Sequence, residues 1–347
     1  MPIEKTQTRT VAFPDFVEEE VSTLSPLAKR VSQMGVRISK EQAVRIEHPS
    51  QLDVQAHQLD LFVADLFDSS FKNDNASMEA PLFSLALKPD HETWRWVSSD
   101  KKKWLEVTPS SIGRATMHDK DLLIYITSQI VAAMNNAIRN STKMPGRRIQ
   151  FTLHDYLIST GRCTSGVSYS NFEATLDRLA GTRLKTNIAM GNLDYRSSFG
   201  LIEGFDYIME SDSNGKRRMV AIVVTISKWL YRSMEENQVL TINKNYFTLR
   251  RPLEKKLYEI ARKHVGVQPD WIISETTLYE KVGSRASSRE FRRMMKEIIL
   301  SDNIPEYRLA YTESMNHEKQ IRFYQKDQKK LSLGYAKRER SIALPKK

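Results

Sequence analysis

The 347-residue sequence predicts an α+β fold in which two consecutive winged helix-turn-helix units follow a less ordered N-terminal extension. Three patterns support this prediction. A helix with one apolar and one cationic face is predicted at 287–300. The elements around it follow the order helix, strand, helix, helix, hairpin. A similar order surrounds a helix predicted at 168–180. We therefore expect an extension with one amphipathic helix at 1–78, winged-helix units at 79–238 and 239–326, and a basic tail at 327–347.

The helix predicted at 287–300 has the clearest pattern in the chain. Bulky apolar side chains recur on one face at helical spacing: Phe291, Met294, Met295, Ile298 and Ile299. Ser287 and Glu290 have the spacing of a capping box. The opposite face carries four cations: Arg289, Arg292, Arg293 and Lys296. Such a helix fits the DNA major groove, where arginine reaches phosphates or pairs with guanine, but a surface helix with solvated charges shows the same pattern.

The elements around this helix complete the C-terminal unit. In order, they are a helix at 252–265, a strand at 271–274, a helix at 275–282 and a hairpin of strands at 307–311 and 320–324. Pro252 lies in the first turn, where its missing N–H costs nothing, and Gly266 and Gly283 lie just past the ends of the two helices. Ser274 is the expected N-cap of the shorter helix.

The N-terminal unit follows the same order at low sequence identity. Aligning Ser168 with Ser287 superposes the apolar positions of the two central helices, which indicates an internal duplication. Ser170 and Glu173 are expected to form a capping box near the start of the earlier helix. The expected elements are helices at 119–139, 153–160, 168–180 and 228–234, and strands at 147–151, 183–188, 199–210 and 216–227.

Two further elements are predicted upstream. Residues 51–68 carry an apolar stripe at helical spacing, expected to face the core or a partner. Segments 93–97 and 104–108 alternate at period 2 around a polar turn with three lysines and predict a hairpin. Its three tryptophans, at 94, 96 and 104, would stack on bases if the hairpin bound nucleic acid, but packing of a small sheet against a domain is the commoner reason for such aromatics.

Positive charge is concentrated after residue 110. The chain has 53 basic and 42 acidic side chains and a net charge of +11; residues 1–110 carry 13 and 17, and residues 111–347 carry 40 and 25. Charge of one sign over a folded region indicates a polyanionic partner, most simply nucleic acid. The single cysteine, Cys163, excludes an intramolecular disulfide. No apolar run approaches the ~20 residues of a membrane span and no signal segment is visible, so we expect a cytoplasmic protein.

The sequence lacks a recognisable catalytic or metal-binding pattern. Its seven histidines never occur as His-x-His, and no H-E-x-x-H or cysteine–histidine zinc spacing is present. Residues 161–168 have the spacing of a phosphate-binding loop, but Val167 stands where lysine is required. His118–Asp119 and His154–Asp155 lie beside predicted helix starts, where aspartate is expected for structural reasons. We expect neither an enzyme nor a bound cofactor or metal.

Two segments resemble a known family. GRATMHDKDLLIYITSQI, at 113–130, and LTINKNYFTLRRPLEKKLYEIARKH, at 240–264, resemble plasmid replication initiators of the replication initiator protein A type, which are similar in plan to tandem winged-helix plasmid initiators. The resemblance extends from about residue 79 to residue 326. It implies binding to repeated sequences at a plasmid origin, local duplex opening, and recruitment of the host initiator and replicative helicase. It implies no chemistry by the initiator itself.

The expected DNA contacts follow from the two units. In the C-terminal unit they are Ser287, Arg289, Arg292, Arg293 and Lys296 on the helix, with Lys319 and Arg322 on the hairpin. In the N-terminal unit they are Asn171, Thr175 and Arg178 on the helix, with Lys216, Arg217 and Arg218 after the turn at 211–215. The tail from residue 326 is expected to be a disordered basic arm that adds attraction independent of DNA sequence.

Three function classes remain open from the residues alone. The first is a replication initiator. The second is a winged-helix transcriptional repressor, which would use the same DNA-binding units. The third is a nickase or other nucleic-acid enzyme, disfavoured because metal ligands such as paired histidines are missing. Whether the active form is a monomer or a homodimer is also open.

Overall fold

The computed structural model describes residues 72–74, 78, 81–97, 104–164, 166–187, 197–211, 217–236, 238–266 and 268–343. The helix expected at 51–68 and the position of Lys216 lie outside these residues, so these predictions are not addressed. The fold is mixed α/β. Within the described part of the chain, none of the helices combines the length and apolar character needed to cross a membrane.

Eight α-helices, a 3-10 helix (Lys244–Thr248) and twelve strands make up the described fold. The helices are α1 (Lys120–Asn140), α2 (Leu153–Ser159), α3 (Gly166–Gly181), α4 (Lys228–Glu235), α5 (Pro252–His264), α6 (Glu275–Val282), α7 (Ser288–Ser301) and α8 (Gln328–Ala343). The strands are β1 (Lys72–Asp74), β2 (Trp94–Val97), β3 (Trp104–Thr108), β4 (Arg148–Phe151), β5 (Arg183–Thr186), β6 (Ser197–Gly200), β7 (Ile202–Ser211), β8 (Arg217–Ile226), β9 (Val239–Thr241), β10 (Asp270–Ser274), β11 (Tyr307–Glu313) and β12 (Lys319–Gln325).

One sheet topology occurs twice. In the N-terminal repeat (148–226) the strand order is β4-β8-β7, and in the C-terminal repeat (270–325) it is β10-β12-β11. In both, the first strand pairs antiparallel with the last strand of a hairpin, and two helices lie between them in sequence. The repeated order predicted from the sequence is therefore present, with a long helix, α1 or α5, ahead of each repeat.

The N-terminal repeat contains an insertion that the C-terminal repeat lacks. Strands β5 and β6 follow α3 and pair with the upstream hairpin, which gives a four-stranded sheet of order β2-β3-β5-β6. The single strand expected at 199–210 is therefore wrong: the chain leaves one sheet after Gly200 and enters another at Ile202. A Cβ atom at Gly200 would lie 2.7 Å from the carbonyl oxygen of Ile202, so this turn requires glycine. Trp94 and Trp96 of β2 pack against the core, as the packing interpretation predicted.

The two repeats have separate cores that share α1. Leu122, Tyr125 and Ile126 of α1 are buried in the core of the N-terminal repeat. Ile124 of the same helix is 1% exposed and packs with Leu257 and its neighbours in the core of the C-terminal repeat. Helix α1 therefore connects the two repeats through side chains.

Helix α5 differs from the amphipathic helix that its sequence predicts. Its bounds agree with the prediction, but ten consecutive residues, Pro252 to Ala261, are buried. The buried positions include its charged face: Glu254, Lys255, Lys256 and Glu259. The polar side faces α1 and the segment at Met78 rather than water, because charged partners there replace the solvent.

The C-terminal tail also differs from its prediction. Residues 328–343 form α8, not the disordered arm expected from their charge. Its contact with the C-terminal repeat is close, since a Cβ atom at Gly334 would lie 2.9 Å from the backbone nitrogen of Pro269. The Tyr335 hydroxyl donates to Asp270 at 3.2 Å. The basic composition of this segment did not predict the helix, because a glycine and a tyrosine, and not an apolar stripe, make the contact.

Candidate nucleic-acid interface

Helix α7 presents the two faces predicted for it. Phe291 and Met295 are 1% and 0% exposed, and Ile298 is also buried. The Ser287 hydroxyl accepts from the backbone N–H of Glu290 at 3.2 Å, so the N-cap is formed. The other half of the capping box is absent, because the Glu290 carboxylate accepts from Arg293 instead. The apolar face is fixed against the core, and the cationic face points away from it.

The four cations of α7 differ in their surroundings. Arg289 and Lys296 are exposed and form no ion pair among the described residues. Arg292 donates from Nε to Glu275 of α6 at 2.5 Å. Arg293 lies between Glu290, at 2.6 Å, and Glu297. Hydrogen bonds from Arg293 hold the pKa of Glu290 below its ordinary value. Arg289 and Lys296 are therefore the cations of this face that a ligand reaches without breaking an ion pair.

The two predicted cations of the adjacent hairpin differ in their surroundings. Lys319, at the start of β12, is exposed. Arg322 is tied to Asp270 of the neighbouring strand, with Nη2 2.5 Å from the carboxylate, and it also contacts the hydroxyl of Tyr335. Arg322 is therefore already paired within the protein, although its side chain is 39% exposed, and its contact with DNA stays a prediction.

Helix α3 does not present the polar face expected of it. Of the three residues assigned to this face, Asn171 is exposed, whereas Thr175 is only 8% exposed. The Thr175 hydroxyl donates to Asp119 at 2.8 Å, and Arg178 binds both oxygens of the same carboxylate at 2.7 and 2.6 Å. The expectation of a groove-facing Thr175 and Arg178 is wrong, because the start of α1 packs against this side of the helix.

The start of α3 also differs from the prediction. The helix begins at Gly166, so Ser170 lies inside it and the expected capping box at Ser170 and Glu173 does not mark its start. Residues 161–164 follow α2 and precede this start. Arg217 and Arg218 begin β8, opposite Ser211 and Glu210 of β7, and their side chains lie outside the described set.

A buried ion cluster joins α1 to α5. Asp121 is 2% exposed and pairs with Lys255 at 2.9 Å and with Arg162 at 2.6 Å. Lys120 lies 2.8 Å from Glu259, and both side chains are buried. Burial lowers the pKa of Lys255, while the neighbouring Asp121 opposes that shift. We call these five residues the α1–α5 ion cluster.

The α1–α5 ion cluster was not predicted from the sequence. Its signal was the complementary charge of two predicted helices: an Asp-Lys-Asp run starts one, and Glu-Lys-Lys with a further glutamate lines the other. Asp119 continues the cluster to Thr175 and Arg178, so α3, α1 and α5 are connected by side-chain contacts. Among the described residues, no group of three or more histidine, cysteine, aspartate or glutamate side chains has a metal-binding arrangement.

Fold and site together define a class: mixed α/β proteins built from two copies of a helix–hairpin repeat, with a cationic helix exposed on the second copy. Comparison with solved structures agrees with this fold. The crystal structure of domains 2 and 3 of RctB superposes with a TM-score of 0.54 at 11% identity, covering 73% of this chain and 99% of that one.

Comparison of sequences identifies the family. The model of the replication initiator protein A family matches residues 72–309, and this chain belongs to that family. A putative replication protein of Wigglesworthia glossinidia brevipalpis is 34% identical over 254 residues, which cover 73% of this chain and 89% of the relative. The resemblance noted in the sequence is therefore confirmed, and the protein's role lies in the initiation of replication.

Proposed function

We propose that this initiator is a tandem winged-helix protein that binds repeated sequences in double-stranded DNA at a plasmid origin. The observation that carries the proposal is the cationic face of α7, exposed opposite a face buried in the core. The +11 net charge and its concentration after residue 110 support a polyanionic partner. Membership of the replication initiator protein A family supports origin DNA as that partner.

The proposed binding mode places α7 in the major groove. Ser287 at the helix start and the exposed Arg289 and Lys296 contact the phosphates, which position the helix without reading sequence. Arg293 exchanges its carboxylates for a guanine edge, the commonest specific contact of arginine in this groove. Arg292 keeps α7 fixed to α6 through Glu275 and supports the interface from its edge.

The N-terminal repeat has a different proposed role. Asn171 remains the accessible polar residue of those predicted on α3, and Arg217 and Arg218, the described part of the basic run predicted at 216–218, begin β8. We assign the hairpin of β7 and β8 to the DNA backbone, where contacts carry no sequence information. Lys319 at the start of β12 makes the matching contact in the C-terminal repeat. Residues 79–238 and 239–326 are the proposed DNA-binding units.

For the later steps of initiation, our proposal is supported by membership of the replication initiator protein A family. Binding at the repeats promotes local opening of the duplex, and the complex recruits the host initiator and the replicative helicase. The protein performs no chemistry in these steps and uses no cofactor. We place it in the cytoplasm, where these partners are.

Binding is tested with fluorescently labelled duplexes from the cognate origin and with scrambled duplexes of the same length. We expect tighter binding to the origin duplex, and a log–log dependence on salt with a slope of about −0.9 for each phosphate contact. A slope near zero would overturn the assignment of DNA as the partner. Deleting the reading frame from its replicon separates initiation from repression: loss of replication supports the proposal, and survival with raised transcription would indicate the repressor alternative.

A further inference from the structure

A cavity of about 500 Å³ lies beside α7 and borders the cationic face proposed for DNA, since Arg293 belongs to both. It is enclosed by residues 84–87, the first residues of α5, the turn at 283–286 and the inner edge of α7. Its lining is mostly apolar, with Leu85, Leu253 and Met294 among the contributors. A volume of this size and a largely apolar wall are typical of sites for small organic ligands, usually about 300–1,000 Å³.

The charged residues of this lining are unbalanced. Four are arginines, Arg114, Arg251, Arg285 and Arg293, against a single carboxylate, Glu297. Carboxylates outside the lining also pair with some of these arginines. Arg114 and Arg285 form one group of ion pairs, at the buried end of the cavity. Arg251 and Arg293 form another, at its open end.

At the buried end, two guanidinium groups share one buried carboxylate. Arg114 is 2% exposed and lies 3.0 Å from Asp90, which also pairs with Arg285 at 2.9 Å. The second partner of Arg285, Glu92, has a side chain that is 81% exposed, so water weakens that pair. Asp90 additionally accepts from the hydroxyl of Ser84 at 2.9 Å. One positive charge at this end is therefore poorly compensated.

Arg114 itself has unused donors. Its Nε and Nη1 atoms have no hydrogen-bond partner among the described residues, and the indole of Trp94 covers the guanidinium at 5.4 Å. Burial lowers the pKa of Arg114 to about 10, and Asp90 opposes that shift, so the side chain is charged at neutral pH. The Nε and Nη1 atoms have almost no accessible surface, so Arg114 favours an anion in the cavity through its charge and not through a direct hydrogen bond from these atoms.

At the open end, Arg251 and Arg293 approach the same carboxylate. Arg251 is half exposed and lies 3.4 Å from Glu297, which also accepts from Arg293. Arg251 is the N-cap residue of α5, and no side chain caps that helix. The open end therefore offers a half-exposed guanidinium next to the positive end of a helix dipole.

We propose that this cavity binds a small organic anion, with its carboxylate or phosphate group held by the arginines and its apolar or aromatic body against Leu85, Leu253 and Met294. The ligand would touch both halves of the chain, since residues 84–87 and Arg114 precede the N-terminal repeat, whereas α7 belongs to the C-terminal one. Because Arg293 lines the cavity, the bound anion would also affect the proposed DNA-binding face. That last consequence alone rests on the proposed function.

Two fluorescent probes test the site in the full-length chain without DNA. The first is 8-anilinonaphthalene-1-sulfonate, an aromatic anion, and the second is N-phenyl-1-naphthylamine, which has the same rings without the sulfonate. We expect saturable binding of the anion and at least tenfold weaker binding of the uncharged analogue. Equal affinity for both probes would overturn the proposal, since the site would then select apolar rings and not anions.

Three variants assign the binding to this cavity. Arg251→Gln removes an exposed arginine of the lining and should weaken anion binding at least threefold. Arg250→Gln is the matched control, because Arg250 is an exposed neighbour outside the lining, and it should bind as the unchanged chain does. Ala86→Trp places a bulky ring at an exposed position of the cavity and should abolish binding. Unchanged affinity in Arg251→Gln and Ala86→Trp, with normal thermal melts, would place the bound probe elsewhere and overturn the assignment.

Discussion

Asp121 shows how a single side chain determines the way in which two helices meet. Its carboxylate lies between Lys255 of α5 and Arg162, and it is 2% exposed. Taking charges out of water costs several kcal/mol per ion, and only close geometry and additional hydrogen bonds offset this cost. Two cations on the two oxygens meet that condition. The α1–α5 ion cluster therefore specifies the contact between α1 and α5 more than it adds net stability.

Asp121→Asn tests this role. The substitution keeps the shape of the side chain but leaves Lys255 and Arg162 without their shared negative charge, so we expect a loss of about 3–5 kcal/mol in the free energy of unfolding. Urea denaturation measures the loss. Asp155→Asn is the control, since Asp155 is half exposed, and it should change stability by less than about 0.5 kcal/mol. Equal stability of the two variants would mean that the cluster is not a structural requirement.

Phe291→Ala tests the burial of the apolar face of α7. Phe291 is 1% exposed and packs edge to face against Tyr279, with ring centroids 5.2 Å apart. Emptying this position should cost roughly 3–5 kcal/mol. Arg289→Ala, on the opposite face, should remain within about 0.5 kcal/mol of the unchanged chain. Thermal melts compare the two, and comparable losses would show that the faces of the helix are misassigned.

At the scale of elements, the periodicity of apolar residues predicted more of the structure than the pattern of charges did. The bounds of α6 and the caps at Ser274 and Gly283 agree with the sequence prediction, because local turn and capping chemistry sets them. The surroundings of α3 and α5 were not predictable in this way. A helical pattern shows that Thr175 and Arg178 share a face, but it does not show that Asp119 of another helix packs there.

The same limit applies to the site. The sequence placed Arg322 on the hairpin correctly, yet its partner Asp270 is distant in sequence and only the strand pairing brings them together. The cationic face of α7 could be predicted because both of its faces are encoded within one helix. The cavity beside it could not be predicted, because separate segments of the chain line it.

The two repeats should divide the work of binding DNA. Arg293→Ala in α7 should weaken binding to the origin duplex by about 1–3 kcal/mol and relax base preference, since a guanine contact is lost. Arg217→Ala, at the start of β8, should weaken origin and scrambled duplexes alike, because a phosphate contact is independent of sequence. Parallel titrations at one salt concentration measure both. A selective loss of the origin site in Arg217→Ala only would reverse the assignment of the two repeats.

At the scale of the whole molecule, the described part of the fold presents the exposed cationic face of α7 on a support built from two hydrophobic cores. Helix α1 contributes to both cores, the α1–α5 ion cluster joins it to α5, and α8 packs on the second sheet. These contacts fix where α7 lies relative to the N-terminal repeat. The central claim is that binding depends on the position of the cations on α7 and not on total charge alone.

The most direct test removes two charges from α7 and two from elsewhere. The double variant Arg289→Ala/Lys296→Ala is compared with Arg95→Ala/Arg183→Ala, which removes two exposed cations from the four-stranded sheet and changes the net charge equally. Affinity for the origin duplex is measured by fluorescence anisotropy over a range of salt concentrations. The α7 variant should bind at least about tenfold more weakly, a loss of about 1.4 kcal/mol, with a salt slope shallower by about 2. The sheet variant should bind almost as the unchanged chain does, and an equal or larger loss in the sheet variant would contradict the account.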